Sequence, residues 1–349
     1  MRLLQGKRHG PILTVRHAKL LAHTSPGTPH AHNHQRHAWS GTPLSELETR
    51  RLDPSTDQGD LVDLFELVFG HTILPGMWEW KHQPEWAPRH ECWVARYDDR
   101  IVGYVGAVCV RGVVDGKAVP FFQLSDVMVH PQYRRKFDYF DLAAKHIFED
   151  VVAHNEDRII YGFSNHRAFL WFKKLGLSDI VEKARICTVP PQDVGTGTPF
   201  EIKEASWQDP WLDEFWAEHI ATVRLGLVRD GAYLVWRYGR HPVYPYKLRR
   251  IEEGGRAIGW VVLGAHGGKP EIPVVDMLLP PGREPEVLQA LANHLNRPVR
   301  FWLASNRTPP FADEKESKTS VYIFLKPTTV GIEQLRNDLY YTMGDADWW

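Results

Sequence analysis

One stretch, from Gln123 to Leu177, constrains this chain more than any other. A strand carrying V-x-V-x-P (Val127, Val129, Pro131) runs into the arginine pair Arg134 and Arg135. The next segment, 138–154, reads as an amphipathic helix with Phe140, Ala144, Ile147, Phe148 and Val151 on one face. A short apolar strand over 158–163 follows, then a short helix over 165–175 with Gly176 at its C-terminal end. Strand, helix, strand is a parallel crossover. Pro131 cannot donate a ladder bond, so it ends the first strand. The helix opening behind it aims free N–H groups and the positive end of its dipole at one spot. Arg134 and Arg135 add charge there, which favours an anion, a diphosphate above all.

The flanking sequence extends this into a mixed α/β sheet. Leu61, Leu64, Phe65 and Val68 recur at helical spacing over 60–70, with Gly70 as the stop. Aromatics, proline and glycine crowd 71–88, which reads as irregular chain or short helices. Strands are expected over 91–97 and 100–111 around an Asp98-Asp99 turn, and over 117–129 after Asp115-Gly116. Beyond the Pro/Gly-rich run 190–199 the order repeats less clearly. A helix is expected over 211–225, a hairpin over 246–252 and 257–263, and a strand over 272–278. A helix over 284–295 and strands over 299–304 and 321–325 follow. The expected organisation is a disordered His/Pro-rich tail over 1–45, a domain over 46–189, a linker over 190–200 and a second domain over 201–349. An internal duplication accounts for the repeated order.

With 349 residues and a formal net charge of -1, nothing pulls the chain as a whole toward nucleic acid or an anionic membrane. No apolar run approaches the roughly 20 residues that span a bilayer, so no membrane insertion is expected. Cys92, Cys109 and Cys187 are far apart and odd in number, which fits a reducing, cytoplasmic setting. His30, His32, His34 and His37 lie in the tail, where no fixed geometry is expected, so no metal site is assigned.

The strand–arginine–helix segment resembles the coenzyme-binding core of the GNAT superfamily of acyl-CoA-dependent N-acetyltransferases, over roughly residues 49–189. Arg134 occupies the family's Arg/Gln place, Asn165 its later Asn, and Gly176-Leu177 the end of the following helix. Phe137 and Tyr139 stand where small residues belong, and Phe172 where a phenol usually sits. Glycine lets amides approach phosphate closely, so both rings would have to turn away. Phe172 has no proton to give a departing thiolate. The resemblance implies acetyl-CoA as co-substrate, held by Val127, Met128, Val129, Arg134, Arg135, Lys136, Phe137, Asp138, Tyr139, Asn165 and Phe172. It implies direct attack of a neutral primary amine on the thioester, with a backbone N–H of the fourth strand facing the oxyanion. Asp126 and His130 are the candidate bases, with Glu91 across the sheet. At alternating spacing Asp126, Met128 and His130 share a face. Asn165 can bond the co-substrate's amide or cap its own helix.

In the second half, R-D-x-x-Y-L-x-W-R-Y-x-x-H-P (Arg229 to Pro242) and M-G-D-x-D-W (Met343 to Trp348) resemble segments of two-domain bacterial GNAT-type proteins. That resemblance implies tandem GNAT-like domains and suggests an amino-sugar acceptor of a surface polysaccharide. Trp236, Arg237 and Tyr238 are the candidate acceptor contacts, and an interdomain seam would use them equally well. Two other readings stay open: a GNAT-fold binding protein that has lost the coenzyme cradle, and a tRNA-dependent aminoacyl transferase. The near-neutral charge argues against the second.

Overall fold

The computed structural model describes residues 47–82, 91–134, 158–165, 173, 178–192, 197–265, 267–304, 306, 313–324 and 330–346. The tail, the helix expected over 138–154, all of the helix expected over 165–175 except Asn165 and Lys173, and Arg135, Lys136, Phe137, Asp138, Tyr139 and Phe172 lie outside the described residues. Leu44–Trp349 forms one compact unit.

The first half opens with β1 (Glu48–Arg51), α1 (Pro54–Phe69) and α2 (Met77–His82). Asp53 caps α1 by accepting the Ser55 N–H, Pro54 starts it, and Gly70 ends it in the left-handed region at φ 76°. Next come β2 (Glu91–Tyr97), β3 (Arg100–Val114), β4 (Lys117–Val129), β5 (Ile159–Asn165) and β6 (Ser178–Val189). Asp98 and Asp99 both take positive φ (48° and 58°), the geometry a two-residue hairpin turn needs. The second half contributes β7 (Phe200–Glu204), β8 (Leu225–Leu227), β9 (Lys247–Glu253), β10 (Arg256–Leu263) and β11 (Ile272–Leu278). β12 (Val299–Leu303), β13 (Glu314–Phe324) and the short β14 (Leu339–Tyr340) complete it. Helix Glu284–Leu295 spans the crossover from β11 to β12. No helix among the described residues is long and apolar enough to cross a membrane.

One sheet runs through both halves in the order β1-β2-β3-β4-β5-β13-β6-β12-β11-β10-β9-β7. From either end the order is the same once β1 to β6 are matched to β7, β9, β10, β11, β12 and β13. The internal duplication is therefore visible in the topology. Each half also lends the last of its matched strands to the other: β13 pairs with β5, and β6 pairs with β12. The parallel pairs β4/β5 and β11/β12 fall at matching places.

Three differences from the sequence expectations share one cause, a strand partner remote in sequence. β5 runs on to Asn165, two residues past the expected strand end, because β13 extends the ladder to Thr319 opposite Asn165. The helix expected over 211–225 stops at His219, and 225–227 joins the edge of β3 as β8. β13 begins at Glu314, since its polar first half lies against β6.

Three apolar cores flank the first-half sheet. Phe122, Leu124 and Val129 pack with Val102, Val105 and Cys109 on one face. Met128 and Tyr104 pack under α1 and α2 on the other. Farther along that second face, Phe121, Tyr161 and Phe163 meet second-half residues including Leu227, Tyr233, Tyr238 and Tyr341.

Candidate functional site

β4 and β5 pair through only Phe121 with Ile159, Phe122 with Ile160 and Gln123 with Tyr161. Past Gln123 the two parallel strands separate into a fork. A bulge sits on β4 just above its base. Tyr104 pairs with Met128 and Gly106 with Ser125, so Asp126 and Val127 together oppose Val105. Asp126 takes φ 49°, a left-handed conformation that aspartate tolerates better than most residues. The extra residue reverses the alternation of side chains along the strand. Below it Phe122 and Leu124 enter the first core; above it Val127 and Val129 do.

Asp126 therefore points to the α2 side, where Lys81 Nζ donates to its Oδ2 at 2.7 Å with both side chains 11% exposed. Met128 lies on the same side. His130 follows the strand's end. Its N–H donates to Val102 O, its Nδ1 accepts from Gln132 N–H at 3.3 Å, and its ring meets Tyr133, which packs on the opposite core. The fork thus brings Asp126 and Met128 together and turns His130 away, since strand alternation stops at Val129. Partial burial, helped by Arg100 and Arg134, lowers the His130 imidazole below its usual value, so it is neutral at pH 7. Arg134 folds back, its Nε donating to Val129 O at 3.0 Å, and fastens the turn to the strand end. Glu91 starts β2 and pairs with Ala107. Tyr133 and Arg158 both lie on the first-core side: Tyr133 packs there and the Arg158 guanidinium lies 5.1 Å from the Phe122 ring.

The opposite side of the fork is closed by the second half. Gln123 Nε2 donates to Asp345 O at 2.7 Å. Trp236 and Trp80 exchange indole-to-carbonyl bonds of 2.9 and 2.7 Å, with rings stacked at 5.4 Å. Arg237 is buried. Its Nε donates to Gly344 O at 2.9 Å and its Nη2 to Ala346 O at 2.6 Å. Tyr238 Oη donates to Asp276 at 2.8 Å. All three belong to the π-helical turn Val235–Gly239, and Arg237 and Tyr238 spend these donors inside the protein, as a seam would require. Beneath them Arg229, 0% exposed, bridges Asp276 (3.0 Å) and Asp345 (2.6 Å). Burial, reinforced by Asp276, lifts the Asp345 carboxyl to about 6 despite the Arg229 charge. Thus the two sequence segments singled out in the second half meet each other. His241 joins them, its ring 4.4 Å from Trp80 and its Nδ1 accepting from Val243 and Tyr244 N–H. Burial lowers it to about 4.

Sequence reasoning missed Lys81 and Gln123. The aromatic-rich α2 offered no periodicity to place the first, and the second's partner lies beyond residue 340.

The sequence of the first half and the fold as a whole have counterparts among known proteins. A family model described as an acetyltransferase (GNAT) domain matches residues 48–163. The chain carries a GNAT domain. Its fold is also similar to a protein from Enterococcus faecalis V583 described as a probable N-acyltransferase, with TM-score 0.60 at 13% identity, covering 80% of this chain and 72% of that one. A GCN5-related N-acetyltransferase from Anabaena variabilis ATCC 29413 gives TM-score 0.60 at 10% identity, with the same coverages. Saccharomyces cerevisiae N-myristoyltransferase with bound myristoyl-CoA gives TM-score 0.51 at 12% identity, covering 82% of this chain and 80% of that one. At these identities the likeness is one of fold. No curated protein matches the chain by sequence.

Proposed function

We propose that this protein is an acyl-CoA-dependent N-acyltransferase that moves an acyl group, acetyl in the first instance, from the coenzyme thioester to a primary amine. The observation that carries the reading is the fork above Gln123, with the β4 bulge at Asp126 on its wall. Where β5 departs, the outer edge of β4 is left to pair with something other than a strand. An extended chain bearing amide groups, such as the carrier arm of coenzyme A, matches that edge as an added strand would. The Pro131 turn and Arg134 lie at the end of the same strand, where the diphosphate of such a ligand would fall.

The amine reaches the thioester from the α2 side, where Asp126 and Lys81 stand. Asp126 is the proposed base on that side, and His130, neutral at pH 7, is a base at the strand end. An amine-bearing sugar remains the proposed acceptor. Tyr244, 39% exposed and stacked on His241 beside Trp80, offers the aromatic face a sugar ring takes. Three free cysteines, all buried, fit a reducing compartment.

A thermal-shift titration with acetyl-CoA, and with coenzyme A alone, tests the reading. Ligand at a hundred times its Kd should stabilise the protein by about 2.7 kcal/mol. Arg134→Ala should abolish that response. A wild-type protein indifferent to every acyl-CoA would sink the proposal and favour a GNAT-fold binding protein without coenzyme.

A further inference from the structure

Ser125 sits on β4 one residue before the bulge and two beyond the last rung shared with β5. By the alternation that carries Gln123 to Asp345, its side chain stands on the side of the fork facing α2 and the second half. The residue is 3% exposed, and its Oγ has no hydrogen-bond partner among the described residues. The neighbours on that side are otherwise committed: Gln123 to Asp345 O, Asp126 to Lys81, Tyr104 Oη to Cys92 Sγ at 3.5 Å. A buried hydroxyl without a partner costs stability, and such costs persist where a ligand supplies the missing partner.

We propose that the Ser125 hydroxyl donates to the carbonyl oxygen of the bound thioester, as a side-chain member of the site that receives charge during acyl transfer. The inference rests on the acyltransferase reading above. The amine nitrogen attacks the carbonyl carbon, a C–N bond forms, and the C=O π pair moves onto oxygen, opposite the Ser125 O–H. The pair then returns, and the C–S bond breaks with its electrons on sulfur. The sulfur takes one proton and the nitrogen loses one, leaving an amide and a free thiol. Ser125 neither gains nor loses a proton and acts as a hydrogen-bond donor throughout. Its burial keeps water from competing for the bond.

The test needs no knowledge of the acceptor. Affinities of wild type, Ser125→Ala and Ser125→Cys are measured for acetyl-CoA and for S-ethyl-CoA, which lacks the carbonyl. Wild type should prefer acetyl-CoA by about fivefold, the worth of one net hydrogen bond. Ser125→Ala should bind the two ligands equally. Its melting temperature without ligand should be unchanged or higher, because an unpaired hydroxyl has been removed. Ser125→Cys, close in size and a weak donor, serves if the alanine variant fails to fold, and should lose most of the preference. Equal binding by wild type, or a preference that survives both substitutions, would overturn the inference alone. Failure of wild type to bind either ligand would overturn the acyltransferase reading and this inference with it.

Discussion

Removing the buried guanidinium at the seam should be among the most damaging single changes in this protein. Arg229 is fully buried, its Nε donating to Asp276 at 3.0 Å and its Nη2 to Asp345 at 2.8 and 2.6 Å. In Arg229→Met the two carboxylates fare differently. Asp276 keeps Tyr238 Oη at 2.8 Å, Thr342 Oγ1 at 2.9 Å and Met277 N–H at 2.9 Å. Asp345 keeps Thr342 N–H at 2.8 Å and loses its two bonds to Arg229. Stranding a buried charge in this way costs about 3–5 kcal/mol, a large share of a typical stability of about 5–15 kcal/mol. Asp345 already titrates near 6, and without Arg229 it moves further up, so the variant should take up a proton near neutral pH. The loss should therefore shrink between pH 7 and pH 5. Arg229→Met combined with Asp345→Asn should recover about 1–3 kcal/mol relative to the sum of the single losses. Urea unfolding of the four proteins at both pH values, followed by tryptophan fluorescence, measures each quantity. A single-variant loss below about 1 kcal/mol, or strict additivity in the double variant, would refute the argument. Because Asp345 O anchors Gln123 at the base of the fork, the same variant should also weaken binding of acetyl-CoA.

Asp345→Asn alone should alter the pH dependence of stability. The folded carboxyl, at about 6, binds a proton more readily than the unfolded one, near 3.9. Its favourable contribution is full below about pH 4 and is lost as pH rises through about 6. Melting curves of wild type should fall relative to those of the variant across that window, and parallel curves would contradict the assignment. Gly112→Ala would place a methyl group inside the Phe121 ring, which packs directly on that glycine. Denaturant midpoints should register a loss of about 1–3 kcal/mol or more. Relief by the added change Phe121→Leu would identify that contact as the cause.

The first-half strands were legible because their information is local. Asp98-Asp99 and Asp115-Gly116 fix two turns, and alternation fixes the faces between them. The crossover was legible from Pro131 and the arginines. The bulge was not: nothing in Ser125-Asp126-Val127 distinguishes a regular strand from one with an extra residue, and only the register against β3 decides it. The polar half of β13 was missed for a related reason. Glu314, Lys315 and Glu316 have no apolar alternation, and they become strand because Cys187, Ile186 and Arg185 lie opposite. Trp236, Arg237 and Tyr238 were read as either acceptor contacts or a seam. The bonds of Arg237 to Gly344 and Ala346 run across more than a hundred residues, beyond what local pattern carries.

The exchange of β6 and β13 has a consequence for how the protein comes off the ribosome. The edge of β5 stays bare until translation has passed Glu314–Phe324. At about 5–20 residues per second, that is a wait of roughly ten to thirty seconds with a part-built sheet open to other nascent chains. A chaperone that covers this margin during synthesis should raise the yield of native molecules.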